Sequence, residues 1–501
     1  RCIAKRLPGC GWTRFAYDKG DRLVLEEGPE DREAGRIRFV LGDRYGRECL
    51  RGIWRTDFDS TATVISSRHV RVARDWPSMR DTCLFGYYPE NIALSGVKVL
   101  EANYYDDYTF ARAVPQDSLF RQMDTAQVLS GVDSAYVSAA GLRTGRLMRV
   151  LGLPGHSHEL FSQQAWEDPS QVFLWDVTWY DEKGRPVESR RATHVGGMTR
   201  EMATYRFTGE VETRTLVHYP KSGNPKPETY NYTYSIWGQP LKTCHSWDNG
   251  TSVLVSDREY DTGGRLVTDS RNGVPALRSR YTYNVRSWLT GTSVGAPDST
   301  DVGGAFTERL YYNTLRPDSD DNTRQWGGNV SGMDWQGTGT DTLHRYSYGY
   351  DGLSRLVQAS YDGPLGADTL SEEYDYDAHG NMTERRNSNG GGDSFQHDGN
   401  RLIRVGSLSL GGGSSFNPDP PFGDPSVYNP PSYYEVNPRV LAYDVAGRLS
   451  YDNNRGVKAI HYNLLGLPSY LQSGHQEHEQ ANVLRYNASY GYSADGEKVR
   501  R

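Results

Sequence analysis

The chain has 501 residues and a formal net charge of −7, which predicts no general affinity for nucleic acid or anionic membranes. Hydrophobic residues make up 36%, a count that includes 35 tyrosines, so a thin wall wet on both faces fits better than a tightly filled globule. A loop-rich chain would fit this composition too. Five scattered cysteines form no CxxC pair, and no apolar run approaches the ~18 residues of a membrane-spanning helix.

Three regions follow one another along the chain. Residues 1–58 carry two divergent copies of a turn motif, one beginning at Tyr17-Asp18 and one at Asp43. Residues 59–170 are predicted to be a less regular β-rich segment, with a short helix compatible with the polar stretch at 120–130. Regular strands resume at 171 and continue to 501, with flexible insertions predicted at the Gly-, Ser- and Pro-rich stretches 291–304 and 406–438.

The repeated motif is Tyr-Asp, two or three residues, Gly, then Arg-Leu. Copies or partial copies contribute these candidate turn residues: Tyr17, Asp18, Tyr180, Asp181, Gly184, Arg185, Tyr260, Asp261, Gly264, Arg265, Tyr350, Asp351, Arg355, Tyr376, Asp377, Gly380, Tyr443, Asp444, Gly447 and Arg448.

Each copy predicts a β-hairpin with a loop of about four or five residues. The Tyr ends an alternating strand, the Asp carboxylate accepts from a backbone N–H two residues on, and the Gly supplies a positive φ. Arg-Leu then begins the return strand, with Leu on the face of the Tyr. We therefore expect a positive φ at Gly264 and Gly447, and we expect Asp261 and Asp444 to cap their own loops.

A repeated unit that cannot bury its apolar face alone must stack on its neighbours. Strands lie ~4.8 Å apart, so roughly forty of them in a flat ribbon would extend to about 190 Å. Open sheets of more than about ten strands tend to curl or split. The predicted fold class is therefore all-β, with repeated hairpins stacked into a coiled, spiral sheet. Periodicity does not decide whether the coil is filled or hollow.

These residues resemble the Rhs, or YD-repeat, family of large bacterial proteins. Beyond the repeats, three segments are similar in amino-acid sequence to one bacterial subgroup of this family: Lys5–Cys10, Tyr180–Val187 and Gly328–Trp335. The resemblance covers nearly the whole chain and is weakest over 59–170. It implies a hollow β-sheet shell that, in relatives, encloses a C-terminal toxin behind a core segment with a self-cleaving aspartate. Both ends of this chain look cut, so neither the toxin nor the cleavage site is expected within it.

Several candidate sites have simpler interpretations. His156 and His158 with Glu159, and His475 and His478 with Glu479, lack zinc-site spacing and are predicted to be polar loops. A ladder of equivalent turn aspartates does not provide the unlike pair of carboxyl groups that glycoside hydrolysis needs. No metal or cofactor site is predicted.

The predicted function is a non-enzymatic shell segment of an Rhs-type polymorphic toxin, whose cargo is an effector domain beyond Arg501. The alternative is a surface adhesin or carbohydrate-binding repeat protein, in which exposed rings such as Trp326 or Trp335 stack on glycans. An enzyme acting through 59–170 is a third class, without a recognisable catalytic motif. The resemblance implies secretion or cell-surface display, with a secretion apparatus and surface glycans as further candidate partners. No nucleic-acid partner and no membrane span are predicted.

Overall fold

The computed structural model describes residues 1–74, 84–112, 139–151, 173–295, 305–317, 322–337, 343–363, 370–408, 439–452, 455–473 and 487–500. Within these ranges, 32 strands belong to one sheet with antiparallel pairing, and two more strands form a separate hairpin. The all-β class and the stacking of successive hairpins are therefore confirmed. None of the helices in the described ranges is long and apolar enough to cross a membrane.

The first twelve strands are β1 (Ala4–Arg6), β2 (Trp12–Tyr17), β3 (Leu23–Glu27), β4 (Ile37–Gly42), β5 (Glu48–Trp54), β6 (Arg71–Arg74), β7 (Tyr87–Glu90), β8 (Val97–Asp106), β9 (Ala139–Leu151), β10 (Phe173–Tyr180), β11 (Pro186–Ala192) and β12 (Met198–Tyr205). Neighbours pair antiparallel from β1 to β5 and from β8 to β12, and β5 pairs with β8. Strands β6 and β7 form the separate hairpin.

The next fifteen strands are β13 (Val211–Tyr219), β14 (Lys226–Tyr234), β15 (Pro240–Trp247), β16 (Val253–Tyr260), β17 (Leu266–Arg271), β18 (Arg278–Tyr283), β19 (Leu289–Val294), β20 (Phe306–Tyr311), β21 (Gly332–Gly337), β22 (His344–Tyr350), β23 (Leu356–Asp362), β24 (Leu370–Tyr376), β25 (Met382–Asn387), β26 (Gly392–Asp398) and β27 (Arg401–Leu408). From β14 to β27 each strand pairs antiparallel with the next.

The last strands are β28 (Arg439–Tyr443), β29 (Leu449–Asp452), β30 (Val457–Tyr462), β31 (Pro468–Ser473), β32 (Asn487–Ser489), β33 (Gly491–Ser493) and β34 (Lys498–Arg500). Strands β28 to β32 pair in sequence order. Strand β33 pairs with β34 and also with β9. The end of the chain is therefore hydrogen-bonded to a strand more than 300 residues earlier.

Short helices interrupt the N-terminal strands, which the sequence pattern did not predict. They are α1 (Pro29–Glu33), α2 (Phe58–Ser66) and a 3-10 turn at Thr109–Arg112, and a second 3-10 turn lies at Pro275–Leu277. Helix α2 begins at a sequence-readable cap, because the Asp57 carboxylate accepts from the Ser60 backbone N–H at 2.8 Å. It buries Phe58, Thr61 and Ile65.

The chain divides into two compact units, and among the described residues the substantial apolar core lies in the first. The first unit comprises 1–203, 216–226 and the described part of 422–501. Its larger buried cluster includes Phe39, which is 1% exposed and lies against Gly52, where an added Cβ would come within 2.6 Å of the ring. The absent side chain at Gly52 thus makes room for the phenylalanine.

The second unit comprises 204–215 and the described part of 227–421. Among its described residues, the buried hydrophobic side chains are Tyr311, Tyr312 and Val405. Most strand residues of this unit are half-buried on both faces. The second unit is thus a sheet held by neighbouring strands, as the thin-wall interpretation of the composition expected.

Two predicted insertions begin later than expected. Strand β19 runs to Val294, so the first four residues of 291–304 belong to the sheet, and β27 runs to Leu408, into 406–438. The Gly and Ser content of these strand ends had favoured a loop in the sequence. The rest of both insertions, except Gly295, and the predicted helix at 120–130 lie outside the described residues.

Candidate functional site: the ladder of Tyr-Asp turns

The Tyr-Asp turns are five-residue loops, each closed by its own aspartate. Between β16 and β17, the Asp261 N–H donates to the Arg265 carbonyl and the Gly264 N–H donates to the Asp261 carbonyl, both at 2.9 Å. Asp261 Oδ1 accepts from the backbone N–H groups of Gly263 and Arg265, also at 2.9 Å. Gly264 has a φ of +79°, a conformation that a side chain would strain. The cap and the positive φ expected at this turn are both present.

The turn between β28 and β29 repeats this geometry. Asp444 Oδ1 accepts from the N–H groups of Ala446 at 3.0 Å and Arg448 at 2.9 Å, and Gly447 has a φ of +77°. In three described turns the left-handed position holds another residue, with φ of +65° at Asp21, +61° at Ser287 and +63° at Ser354. The turn therefore imposes this conformation even where glycine is absent.

The arginine at the end of the motif completes the turn. Arg265 Nε donates to Asp261 Oδ2 at 2.7 Å. The same contact, between 2.6 and 3.0 Å, occurs in five other described turns: Asp18–Arg22, Asp43–Arg47, Asp181–Arg185, Asp351–Arg355 and Asp444–Arg448. In the turn of Asp377, Asn381 Nδ2 takes this place at 2.8 Å. Each carboxylate thus accepts bonds on both oxygens from its own loop.

The tyrosine and the arginine connect each turn to the next hairpin. The Tyr283 hydroxyl donates to the Leu266 carbonyl of the preceding hairpin at 2.9 Å. The Arg265 guanidinium lies 5.1 Å from the Tyr283 ring centroid and donates to the Asn284 carbonyl at 2.9 Å. A cation–π contact and two hydrogen bonds therefore join neighbouring turns.

Other hairpins repeat this connection. The Tyr376 hydroxyl donates to the Leu356 carbonyl at 2.7 Å, and the Tyr462 hydroxyl donates to the Leu449 carbonyl at 2.6 Å. The guanidinium of the preceding turn lies over each ring, at 4.9 Å for Arg355 and 4.6 Å for Arg448. We refer to this continuous set of turn contacts as the turn ladder. Sequence reasoning assigned the tyrosine to packing and missed the link, because its partner lies one repeat earlier.

Hydrogen bonds within the ladder lower the pKa of three turn aspartates, Asp261, Asp351 and Asp377. The Arg265 guanidinium lowers the pKa of Asp261, and the Arg355 backbone N–H lowers that of Asp351. The Asn381 amide does the same for Asp377. A carboxylate that is ionised and saturated with local donors is poorly suited to give or take a proton. The chemistry that this arrangement supports is the fixing of loops.

The remaining candidate residues from the sequence are two histidine groups and two tryptophans. The two histidine groups at 156–159 and 475–479 lie outside the described residues. In the described part of the chain, no group of three or more His, Cys, Asp or Glu could hold a metal ion. Trp326 is 59% exposed. Trp335 is not an exposed ring as expected, because its cross-strand neighbour His344 stacks on it with 4.0 Å between ring centroids.

Comparison with solved structures gives the fold a known counterpart. The Photorhabdus luminescens Tc holotoxin pore, solved with a TccC3 point mutation, matches 97% of this chain and 21% of its own with a TM-score of 0.51 and 14% identity. The crystal structure of TcdB2-TccC3 without its hypervariable C-terminal region matches 99% of this chain and 30% of its own, with a TM-score of 0.33 and 10% identity. No protein-family model and no curated protein matches the chain.

The chain thus spans about a fifth of the Photorhabdus chain that it matches. At this low identity the likeness shows the fold. The predicted all-β sheet of stacked hairpins is confirmed at that level.

Proposed function

We propose that this chain is a non-catalytic wall segment of an Rhs-type toxin shell. The observation that carries this proposal is the turn ladder, which joins hairpin to hairpin in a unit whose described residues include few buried apolar side chains. A sheet of this kind extends over a large surface with few buried apolar side chains, which is what an enclosing wall requires. The likeness in fold to a Tc holotoxin chain supports the same role.

The proposed partner is an effector polypeptide enclosed by the wall. Secretion or surface display, with the help of an export apparatus, belongs to the same proposal. The absence of a catalytic role for the turn residues is supported by their geometry, since each aspartate is engaged by its own loop. No cofactor is needed for a wall.

The decisive experiment reads the coding sequence beyond Arg501 and tests the complete protein by limited proteolysis. We expect a core segment followed by a short unrelated domain, and we expect that domain to resist protease until the sheet is unfolded by urea. A cell-wall anchor in place of that domain, or digestion of it at the rate of an isolated domain, would contradict encapsulation.

A glycan-binding surface protein is the second candidate, supported by the exposed ring of Trp326. Binding on a glycan array that is lost in Trp326→Ala, but retained in Trp335→Ala, would favour this function. Trp335 is the matched control, because its ring already stacks against His344. Equal loss in both variants, or no binding by the parent chain, would argue against it.

A further inference from the structure

The turns of the second unit carry large apolar residues whose side chains face solvent. Ile236 is 90% exposed and Trp237 81%, in the turn between β14 and β15. Val285 is fully exposed, Leu353 is 73% exposed, and Trp326, in the connection between β20 and β21, is 59% exposed. Large apolar residues exposed together on one side of a soluble protein mark a candidate interaction surface. We call these five residues the apolar edge.

The turns that carry these residues lie along one side of the sheet, with the turn at 261–265, which has no large apolar residue, between the first of them and the next. Gln239 Nε2 donates to the Gly264 carbonyl at 3.3 Å, which joins the first turn to the second. Arg265 reaches the following turn at the Asn284 carbonyl, 2.9 Å away. Arg286 Nη1 then donates to the Trp326 carbonyl at 2.8 Å. Since each hairpin adds two strands, successive tips are spaced ~10 Å apart.

The first unit shows what covers such tips in this protein. Val445 and Ala446 occupy the tip of the turn after β28. The Gly11 N–H donates to the Val445 carbonyl at 3.0 Å, and Cys10 Sγ donates to the Ala446 carbonyl at 3.3 Å. Gly11 and Cys10 belong to the connection between β1 and β2. A turn tip of this ladder is thus covered by the loop of another hairpin, through backbone as well as side-chain contacts.

A second turn of the first unit is covered more completely. Leu464, in the turn after β30, is 5% exposed and belongs to a buried cluster with Ile53, Leu100 and Met148. These partners lie on β5, β8 and β9, strands that are distant in sequence. Apolar residues at this turn position are therefore packing groups when another part of the β-sheet meets them.

We propose that the apolar edge of the second unit is an interaction surface for a row of repeat hairpins in a second copy of this chain. The two tryptophans each offer roughly 150–250 Å², and with the three aliphatic side chains the five exposed residues present several hundred Å². This approaches the ~800 Å² that each partner buries in a stable interface. Backbone bonds of the kind that Gly11 makes to Val445 would fix the register.

The test is sedimentation velocity of the 501-residue chain over a concentration series. We expect a reversible dimer whose dissociation constant rises at least tenfold in Trp237→Ser. The matched control is Trp247→Ser. Trp247 is 51% exposed and lies at the end of β15, away from the turn of the same hairpin. We expect this control to dimerise like the parent.

A photo-crosslinking residue at position 237 provides an independent readout. Its crosslinks between two copies should map to hairpin turns. A parent chain that stays monomeric at ~50 µM, equal weakening by both serine variants, or crosslinks to strand faces would overturn the proposal. None of these outcomes bears on the enclosed effector, which the proteolysis of the complete protein tests separately.

Discussion

The two units of this chain have the same turn motif and different means of stability. The first unit buries Phe39, Leu147 and many other apolar side chains, whereas the described residues of the second unit bury few. In the second unit several hairpins are instead fixed to the next by the ladder of Asp, Arg and Tyr contacts. The comparison teaches that one repeat can serve as the wall of a packed core or as a sheet that is half-exposed on both faces.

The largest effect should come from the core of the first unit. Phe39→Ala removes a fully buried ring, so we expect it to lower the free energy of unfolding by about 3–5 kcal/mol. Phe306→Ala, in the half-buried stack with Trp335 of the second unit, should cost about 1 kcal/mol. Hydrogen exchange in urea, read on peptides of each unit, measures both. Equal costs would remove the distinction between the units.

The next effect compares two turn aspartates, one fully buried in the first unit and one partly exposed in the second. Asp18 is fully buried and also accepts from the Val70 N–H at 3.2 Å, in addition to its own loop. Asp18→Ala should therefore destabilise by about 3 kcal/mol, since buried donors lose their acceptor. Asp261→Ala should produce a smaller drop in melting temperature, because water can replace the lost carboxylate. A larger drop for Asp261→Ala would contradict this account.

Glycine substitutions in three turns separate backbone strain from coverage. At Gly380 the φ is +88° and an added Cβ meets nothing within 4 Å, so Gly380→Ala should cost about 1 kcal/mol from strain alone. At Gly447 the added Cβ would lie 2.5 Å from Cys10 Sγ, so about 2–3 kcal/mol is expected. Gly352→Ala, without a positive φ or a close neighbour, should cost nothing. Denaturant midpoints that do not follow this order would show that the tips are equally open.

The smallest effect is a dependence on pH. The folded pKa of Asp261 lies below its usual value of 3.8, so its contribution to stability is complete above that value and is lost as the pH falls through the folded pKa. Asp261→Asn should therefore reduce the loss of melting temperature between about pH 6 and pH 3. Asn284 makes the same backbone caps without a charge, at 2.9 and 3.0 Å. Asn284→Ala should lower the melting temperature by the same amount at both pH values, and a pH-dependent decrease would contradict the assignment.

Much of this fold could be predicted from the sequence, because its turns and strands depend on interactions between residues that are close along the chain. The aspartate cap and the positive φ of Gly264 depend on atoms within five residues, and those were expected from one copy of the motif. The alternation of apolar and polar residues predicted the strands of the hairpins, because this pattern also depends on residues that are close in sequence. The helices α1 and α2 were missed because short helices have weak periodicity, although Asp57 is a recognisable cap.

The sequence by itself determined the hairpin, its turn and its repetition, because all three arise from short-range hydrogen bonds. Only the tertiary structure decided which turn tips are covered. Leu464 and Leu353 occupy turn tips, yet one is 5% and the other 73% exposed. Their surroundings come from strands hundreds of residues away for Leu464, and from solvent for Leu353. No pattern within a repeat encodes that difference, because burial is a property of the contact and not of the residue that makes it.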